Sequence, residues 1–155
     1  AHPLIKTPKR IVDFGTWENG RVRQSLFPTH APMPVPTGSR WRCLQLSTRG
    51  DDDLRLLILV NNERNNFHAW LGAMQDARLY VISAFEAHAG EPGLHCHALC
   101  GRALPSYSGS IRYPGIMRAP KPGAMHRRTV AVWCEATAWR ESMRFYRKMS
   151  GRKVP

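Results

Sequence analysis

Two histidines, His95 and His97, stand two positions apart in an apolar run in the second half of the chain. Residues two apart on a β-strand point to the same face, so both imidazoles can reach one ion or one phosphate group. Paired imidazoles suit a divalent transition metal, and a metal beside a phosphodiester polarises the phosphate that is cleaved. The alternative is a pair of histidines on a solvated sheet face. The nearby Glu86 and His88 add weight to the metal interpretation.

The chain carries a large surplus of positive charge. Its 155 residues include 23 Lys and Arg against 11 Asp and Glu, a formal net charge of +12. This surplus favours a nucleic-acid partner, DNA or RNA, and argues against an ordinary enzyme of small metabolites. Residues 101–128 contain no acidic residue. Their basic and aromatic side chains form the candidate nucleic-acid-binding set, which is Arg102, Tyr107, Arg112, Tyr113, Arg118, Lys121, Arg127 and Arg128.

The elements that position these residues are predicted from hydrophobic patterning. Residues 41–47, 54–60 and 79–88 predict strands, and residues 94–100 predict a further strand that forms a hairpin with 79–88. Residues 61–76 predict a helix with Phe67, Trp70, Leu71 and Met74 on one stripe. Residues 130–149 predict a helix, or a short strand that runs into one. The order of elements predicts an α+β fold, a central antiparallel sheet with helices packed on one face.

The first forty residues differ from the rest because prolines punctuate them. They predict an extended Pro-rich arm, with short strands at 10–14 and 20–26, that lies along the domain or straps over nucleic acid. Residues 41–155 predict a single α+β domain with an irregular basic loop at 101–128.

Four cysteines and the absence of a secretory signal bear on the cellular compartment. They predict reduced thiols in a cytoplasmic protein, although two disulfides remain an alternative if a signal has been removed. No Cys-x-x-Cys pair occurs, so a closed structural zinc site is not expected. No stretch approaches the ~18 apolar residues of a membrane-spanning helix, so no membrane partner is expected.

The segment from residue 86 to residue 99 resembles the second motif of HUH endonucleases of the replication-initiator class. The resemblance is carried by Glu86-Ala87-His88, then Gly90, Pro92 and His95-Cys96-His97-Ala98-Leu99. Members of that family nick single-stranded DNA with a divalent metal and a tyrosine nucleophile. The resemblance implies His95, His97, Glu86 and His88 as metal ligands on a central antiparallel sheet. It favours Mn²⁺ or Mg²⁺ as the cofactor over Zn²⁺.

The spacing of Glu86 and His95 departs from the family pattern, since the two residues are nine positions apart. An undisturbed hairpin is expected to put Glu86 and His88 on the face opposite His95 and His97. A one-residue bulge near Gly90 would bring all four side chains to one face.

The family also uses a tyrosine on a later helix, followed three positions on by lysine. Tyr146 is the candidate catalytic nucleophile, but its lysine, Lys148, follows after two positions. Tyr146 also shares a helical stripe with Trp139 and Met143, so the alternative is a tyrosine packed in the core. Tyr107 and Tyr113 are the other candidates for the nucleophile.

Three functions stay open at the level of the sequence. The first is a metal-dependent endonuclease that nicks single-stranded DNA through a tyrosine. The second is a basic DNA- or RNA-binding module without catalysis. The third is a small hydrolytic nuclease, or toxin, in which His95, His97 and a catalytic His126 perform acid–base chemistry with no covalent intermediate.

Overall fold

The computed structural model describes residues 2–29, 32–88, 91–104, 116–118 and 130–146 of the chain. The fold is built on an antiparallel sheet with the strand order β1-β3-β4-β5-β6-β7-β8, in which β2 also pairs with β3. From β3 to β8 each strand pairs with the next strand along the chain. The elements are α1 (Pro3–Lys6), β1 (Arg10–Asp13), β2 (Glu18–Asn19), β3 (Ser39–Ser47), β4 (Asp53–Asn61), β5 (Asn66–Gln75), β6 (Arg78–His88), β7 (Glu91–Leu99), β8 (Ile116–Arg118) and α2 (Glu135–Phe145). The predicted α+β class is confirmed.

Two hydrophobic clusters cover the two faces of the sheet. On the face that we call the helix face, Leu44, Phe67 and Phe85 form a core with Ala138 of α2 and the neighbouring Tyr146. On the other face, which we call the site face, strand residues pack against the N-terminal segment. That second cluster includes Val22, Phe27, Trp41, Leu57, Leu59, Trp70 and Ala84. Burial on both faces explains the long apolar runs of the central strands.

The predicted strands at 41–47, 54–60, 79–88 and 94–100 are confirmed as β3, β4, β6 and β7. The helix predicted for residues 61–76 is wrong, because residues 62–65 form a turn and Asn66–Gln75 form β5. The helical stripe is a coincidence of spacing. From residue 69 to residue 73 every residue of β5 is buried, and this removes the alternation by which a half-exposed strand is recognised.

The N-terminal segment contributes to the sheet. The strand predicted at 10–14 is confirmed as β1, and both β1 and β2 pair with β3. The strand predicted at 20–26 is wrong, since Arg23 instead starts a turn in which its carbonyl accepts from the amides of Leu26 and Phe27. That turn directs Phe27 into the cluster on the site face. Residues 32–36 belong to no helix or strand, and Met33 and Val35 pack against the same cluster.

The helix predicted for residues 130–149 is confirmed over Glu135–Phe145, which form α2 with Cys134 as its N-cap. Residues 130–134 form neither helix nor strand, and residues 147–149 lie outside the described residues. Residues 101–128 are not irregular throughout, because Ile116–Arg118 form β8 at the edge of the sheet. All four cysteines lie among the described residues, and all are free thiols. In the described ranges, no helix combines the length and the apolar character needed to cross a membrane.

Candidate metal centre

The pairing of three adjacent strands gathers four histidines around Glu86 on the site face. Glu86 in β6 is the register partner of His68 in β5 and of His95 in β7. Register partners in an antiparallel sheet share a face, and residues two apart on one strand do so as well. His97 therefore lies on the same face as His95, and His88 lies on the same face as Glu86. We call these five residues the Glu86 cluster.

Three members of the Glu86 cluster have the spacing of metal ligands. The Oε1 atom of Glu86 lies 3.2 Å from His95 Nε2 and 3.3 Å from His97 Nε2. One ligand atom from each of the three residues lies within 4.8 Å of the others. Donors around a tetrahedral ion with bonds of about 2.1 Å stand ~3.3 Å apart. Glu86, His95 and His97 can therefore hold a metal ion.

The two other histidines contact the same carboxylate differently. His68 Nδ1 donates a hydrogen bond to Glu86 Oε2 at 2.8 Å, and its ring stacks on Trp70 with centroids 5.1 Å apart. His88 Nε2 lies 3.8 Å from Glu86 Oε1, beyond hydrogen-bonding distance. His88 was expected to be a ligand, and it lies beside the three-residue group rather than within it. Sequence patterning assigns no role to His68, because it predicts a helix for residues 61–76.

Burial and charge keep the Glu86 carboxylate ionised. Burial by itself would raise its pKa, but the hydrogen bond from His68 and the charges of His68, His95 and His97 outweigh burial and lower the pKa to about 2. The side chains of Glu86 and His95 are 8% and 3% exposed, whereas that of His97 is 25% exposed. The cluster thus has a buried base and a rim open to solvent.

The expectation that Glu86 and His95 lie on opposite faces is wrong. His88 pairs with Glu91 and Glu86 pairs with His95, so one residue of β6 stands against three residues of β7 between these pairs. The two additional residues of β7 shift the residue that pairs with Glu86 by two positions along the strand. A shift of two positions leaves the pairing residue on the same face of the sheet. The predicted one-residue bulge is therefore not needed. Gly90, where it was expected, lies outside the described residues.

Tyr146 lies on the helix face, away from the Glu86 cluster. Its side chain is buried, and its hydroxyl donates to Ser83 Oγ at 3.1 Å, beside Cys96. Ser83 and Cys96 alternate along β6 and β7 with the cluster residues and so point to the opposite face. Burial raises the pKa of the Tyr146 phenol well above its ordinary value. The sheet stands between this phenol and the candidate metal site, so its position fits the core-packing alternative and not the nucleophile.

The described part of the basic segment reaches the edge of the same sheet. Arg118 in β8 is the register partner of His97. Arg102 is exposed, and its carbonyl accepts a hydrogen bond from the His2 ring at 2.9 Å. The other candidates of this segment lie outside the described residues, namely Tyr107, Arg112, Tyr113, Lys121, His126, Arg127 and Arg128.

Comparisons of this chain with protein-family models, with curated proteins and with solved structures each gave no match. The resemblance to HUH endonucleases therefore stays an expectation that the motif residues alone carry.

Proposed function

We propose that this protein is a metal-dependent enzyme that cleaves phosphodiester bonds in nucleic acid. The observation that carries the proposal is the donor set of Glu86, His95 and His97 on the site face. An ionised carboxylate and two imidazoles suit Mn²⁺, which accepts both oxygen and nitrogen ligands, with Mg²⁺ and Zn²⁺ as the other candidates. Three protein donors leave coordination positions for a substrate, as catalytic metal sites do.

The substrate class is supported by charge. The net charge of +12 favours a polyanion, and the pairing of β8 with β7 puts the Arg118 position beside that of His97. Single-stranded DNA is the favoured substrate, and RNA is the second.

The residues of the Glu86 cluster have different roles in the proposed reaction. A bound divalent ion supplies charge that polarises a phosphate oxygen and lowers the pKa of a coordinated water. Glu86 and His95 form the buried base that holds the ion, and His97 completes the donor set at the rim. His88 also stands at the rim, about a third exposed, with its ring 4.8 Å from that of His95. It is the group that we assign to accept the proton of an attacking water.

A hydrolytic reaction fits the described residues better than attack by Tyr146. The phenol of Tyr146 is buried on the helix face and hydrogen-bonded to Ser83. A covalent pathway through tyrosine would have to use Tyr107 or Tyr113, which the sequence puts in the basic segment.

The second candidate is a binding module without catalysis. It is favoured by the hydrogen bonds of His68 and His95 to Glu86, which satisfy a buried carboxylate with no ion present.

The test is cleavage of end-labelled single-stranded DNA and RNA with Mn²⁺, Mg²⁺ or Zn²⁺, and with a chelator. Wild-type protein should cleave with metal and not with the chelator, and His97→Ala should reduce the rate at least ~10-fold because one donor is lost. Gln75→Ala, at the exposed far end of β5, is the matched control and should cleave normally. Denaturing gels of the same samples detect any covalent protein–DNA adduct.

The outcomes separate the candidates. Metal-dependent cleavage that is lost in His97→Ala supports the proposal, and an adduct would move the mechanism to a tyrosine other than Tyr146. Binding of nucleic acid without cleavage under any metal contradicts the enzyme and leaves the binding module.

A further inference from the structure

We infer that His68 is a positioning residue that restricts Glu86 to one ligating oxygen and so keeps the metal site open to substrate. The inference rests on the metal site proposed above and adds a residue outside its donor set. It follows from the different partners of the two carboxylate oxygens of Glu86.

The two oxygens of Glu86 face different partners. Oε1 points to the ligand atoms of His95 and His97, at 3.2 and 3.3 Å. Oε2 accepts the hydrogen bond of His68 Nδ1 at 2.8 Å, the shortest contact of the cluster. The carboxylate thus presents one oxygen toward the other donors, while the second oxygen is occupied on the side of β5.

The His68 ring is itself held in place. Its plane lies within 2° of that of the Trp70 ring, and Trp70 is buried in the cluster on the site face. His68 is also the register partner of Glu86, so the backbone pairing of β5 and β6 fixes the separation of the two side chains. Stacking and register together aim Nδ1 at Oε2. A ring nitrogen that contacts an ionised carboxylate carries the proton of the hydrogen bond.

The consequence concerns the number of ligand atoms. A carboxylate free to turn can bind an ion through both oxygens, and this fills a position that a substrate oxygen or water would otherwise take. With Oε2 engaged by His68, binding through both oxygens would break a charge-assisted hydrogen bond in a mostly buried site. His68 therefore favours a site with three protein donor atoms, which is the arrangement of catalytic rather than structural metal sites.

The experiment compares two substitutions of His68 that separate the effect of its hydrogen-bond donor from the effect of its stacked ring. His68→Phe keeps an aromatic ring to stack on Trp70 but removes the donor. His68→Asn loses the stack but puts an amide nitrogen close to the position of Nδ1. The probe is Co²⁺, whose visible absorption weakens as its coordination number rises. Thermal unfolding of each protein checks that it is folded.

Wild-type protein and His68→Asn should give similar Co²⁺ spectra. His68→Phe should give a weaker absorption, because both oxygens of Glu86 become available, and an affinity lower by about tenfold, because the carboxylate is no longer fixed. Rescue by asparagine and loss in phenylalanine distinguish a hydrogen-bond donor from a packing role.

Every other result of this experiment contradicts the inference, the proposed metal site or both. If wild-type protein binds no Co²⁺, the proposed metal site fails and the inference fails with it. If wild-type protein binds and His68→Phe has the same spectrum and affinity, only the inference fails. Loss of affinity in His68→Asn while His68→Phe binds as wild-type protein does would assign the effect to stacking on Trp70 and would overturn the inference. Equal loss of affinity in both variants with an unchanged spectrum would overturn it too, because the coordination number would not depend on the donor.

Discussion

A buried carboxylate such as Glu86 is costly to a fold unless cationic or hydrogen-bonding groups surround it. Here histidines of β5 and β7, the strands on either side of β6, serve this purpose, and they lower the pKa of Glu86 to about 2 although burial alone would raise it. Imidazoles contact both oxygens of the Glu86 carboxylate, whereas a salt bridge requires only one cationic partner. Three members of the Glu86 cluster, Glu86, His95 and His97, can hold a metal ion.

Tyr146 provides the sharpest prediction for a single residue. Tyr146→Phe removes only the hydroxyl that donates to Ser83 in the core. The free energy of unfolding should fall by about 1 kcal/mol, the usual contribution of one buried hydrogen bond, while metal-dependent cleavage stays at the wild-type rate. Urea denaturation and the cleavage assay measure the two effects on the same preparation.

A loss of cleavage in Tyr146→Phe with unchanged stability would contradict its assignment to the core. Phe145 offers a comparison, since its ring stacks on Phe85 at 4.1 Å and Phe145→Leu should change stability alone.

At the scale of elements, the hairpin of β6 and β7 was predictable and β5 was not. Residues 79–88 and 94–100 are rich in strand-forming residues and flank a short Gly- and Pro-containing segment, which is a strong local signal. Residues 69–73 are buried on both faces, so their sequence shows no alternation. Their pairing with β4 and β6, the strands before and after β5 in the chain, determines that they form a strand.

Like the strands, the candidate site was predictable from the sequence only in part. His95 and His97 follow from their types and spacing in the hairpin, and Glu86 is implied by the resemblance to the family motif. His68 depends on the register of β5 against β6. The face of Glu86 was predicted wrongly because the parity of a hairpin depends on the length of its loop, and the sequence alone did not fix that length.

The turn between β4 and β5 also positions α2, through Asn65. The side chain of Asn65 accepts from the amide of Trp133 at 2.8 Å and donates to the carbonyl of Ala131 at 3.2 Å. Asn65 has a φ of 49°, a left-handed conformation that glycine adopts freely and alanine does not. Asn65→Gly should lower the free energy of unfolding by about 1 kcal/mol, and Asn65→Ala by about 2 kcal/mol.

Chemical denaturation of the two Asn65 variants measures this difference. Equal stability of Asn65→Ala and wild-type protein would show that neither the hydrogen bonds nor the backbone conformation of this turn supports the docking of α2.

At the scale of the whole molecule, the net charge of +12 should govern the binding of nucleic acid. The affinity for single-stranded DNA should fall steeply with salt, because each phosphate that is neutralised adds ~0.7 to the logarithmic slope. Replacing both Arg127 and Arg128 by alanine should reduce that slope by about 1.4. Fluorescence anisotropy titrations between low and physiological salt measure it.

Binding that does not depend on salt, or no binding at all, would remove the reason to assign a nucleic-acid substrate. The metal site would then need a different anionic partner.

The most direct test of the central claim is calorimetric titration of the metal-free protein with Mn²⁺. Glu86, His95 and His97 should bind about one ion per chain, and Glu86→Gln and His97→Ala should each weaken binding at least ~10-fold without loss of fold. Gln75→Ala should bind as wild-type protein does. Absence of binding to wild-type protein, or unchanged binding in both cluster variants, would contradict the assignment of the Glu86 cluster as a metal centre.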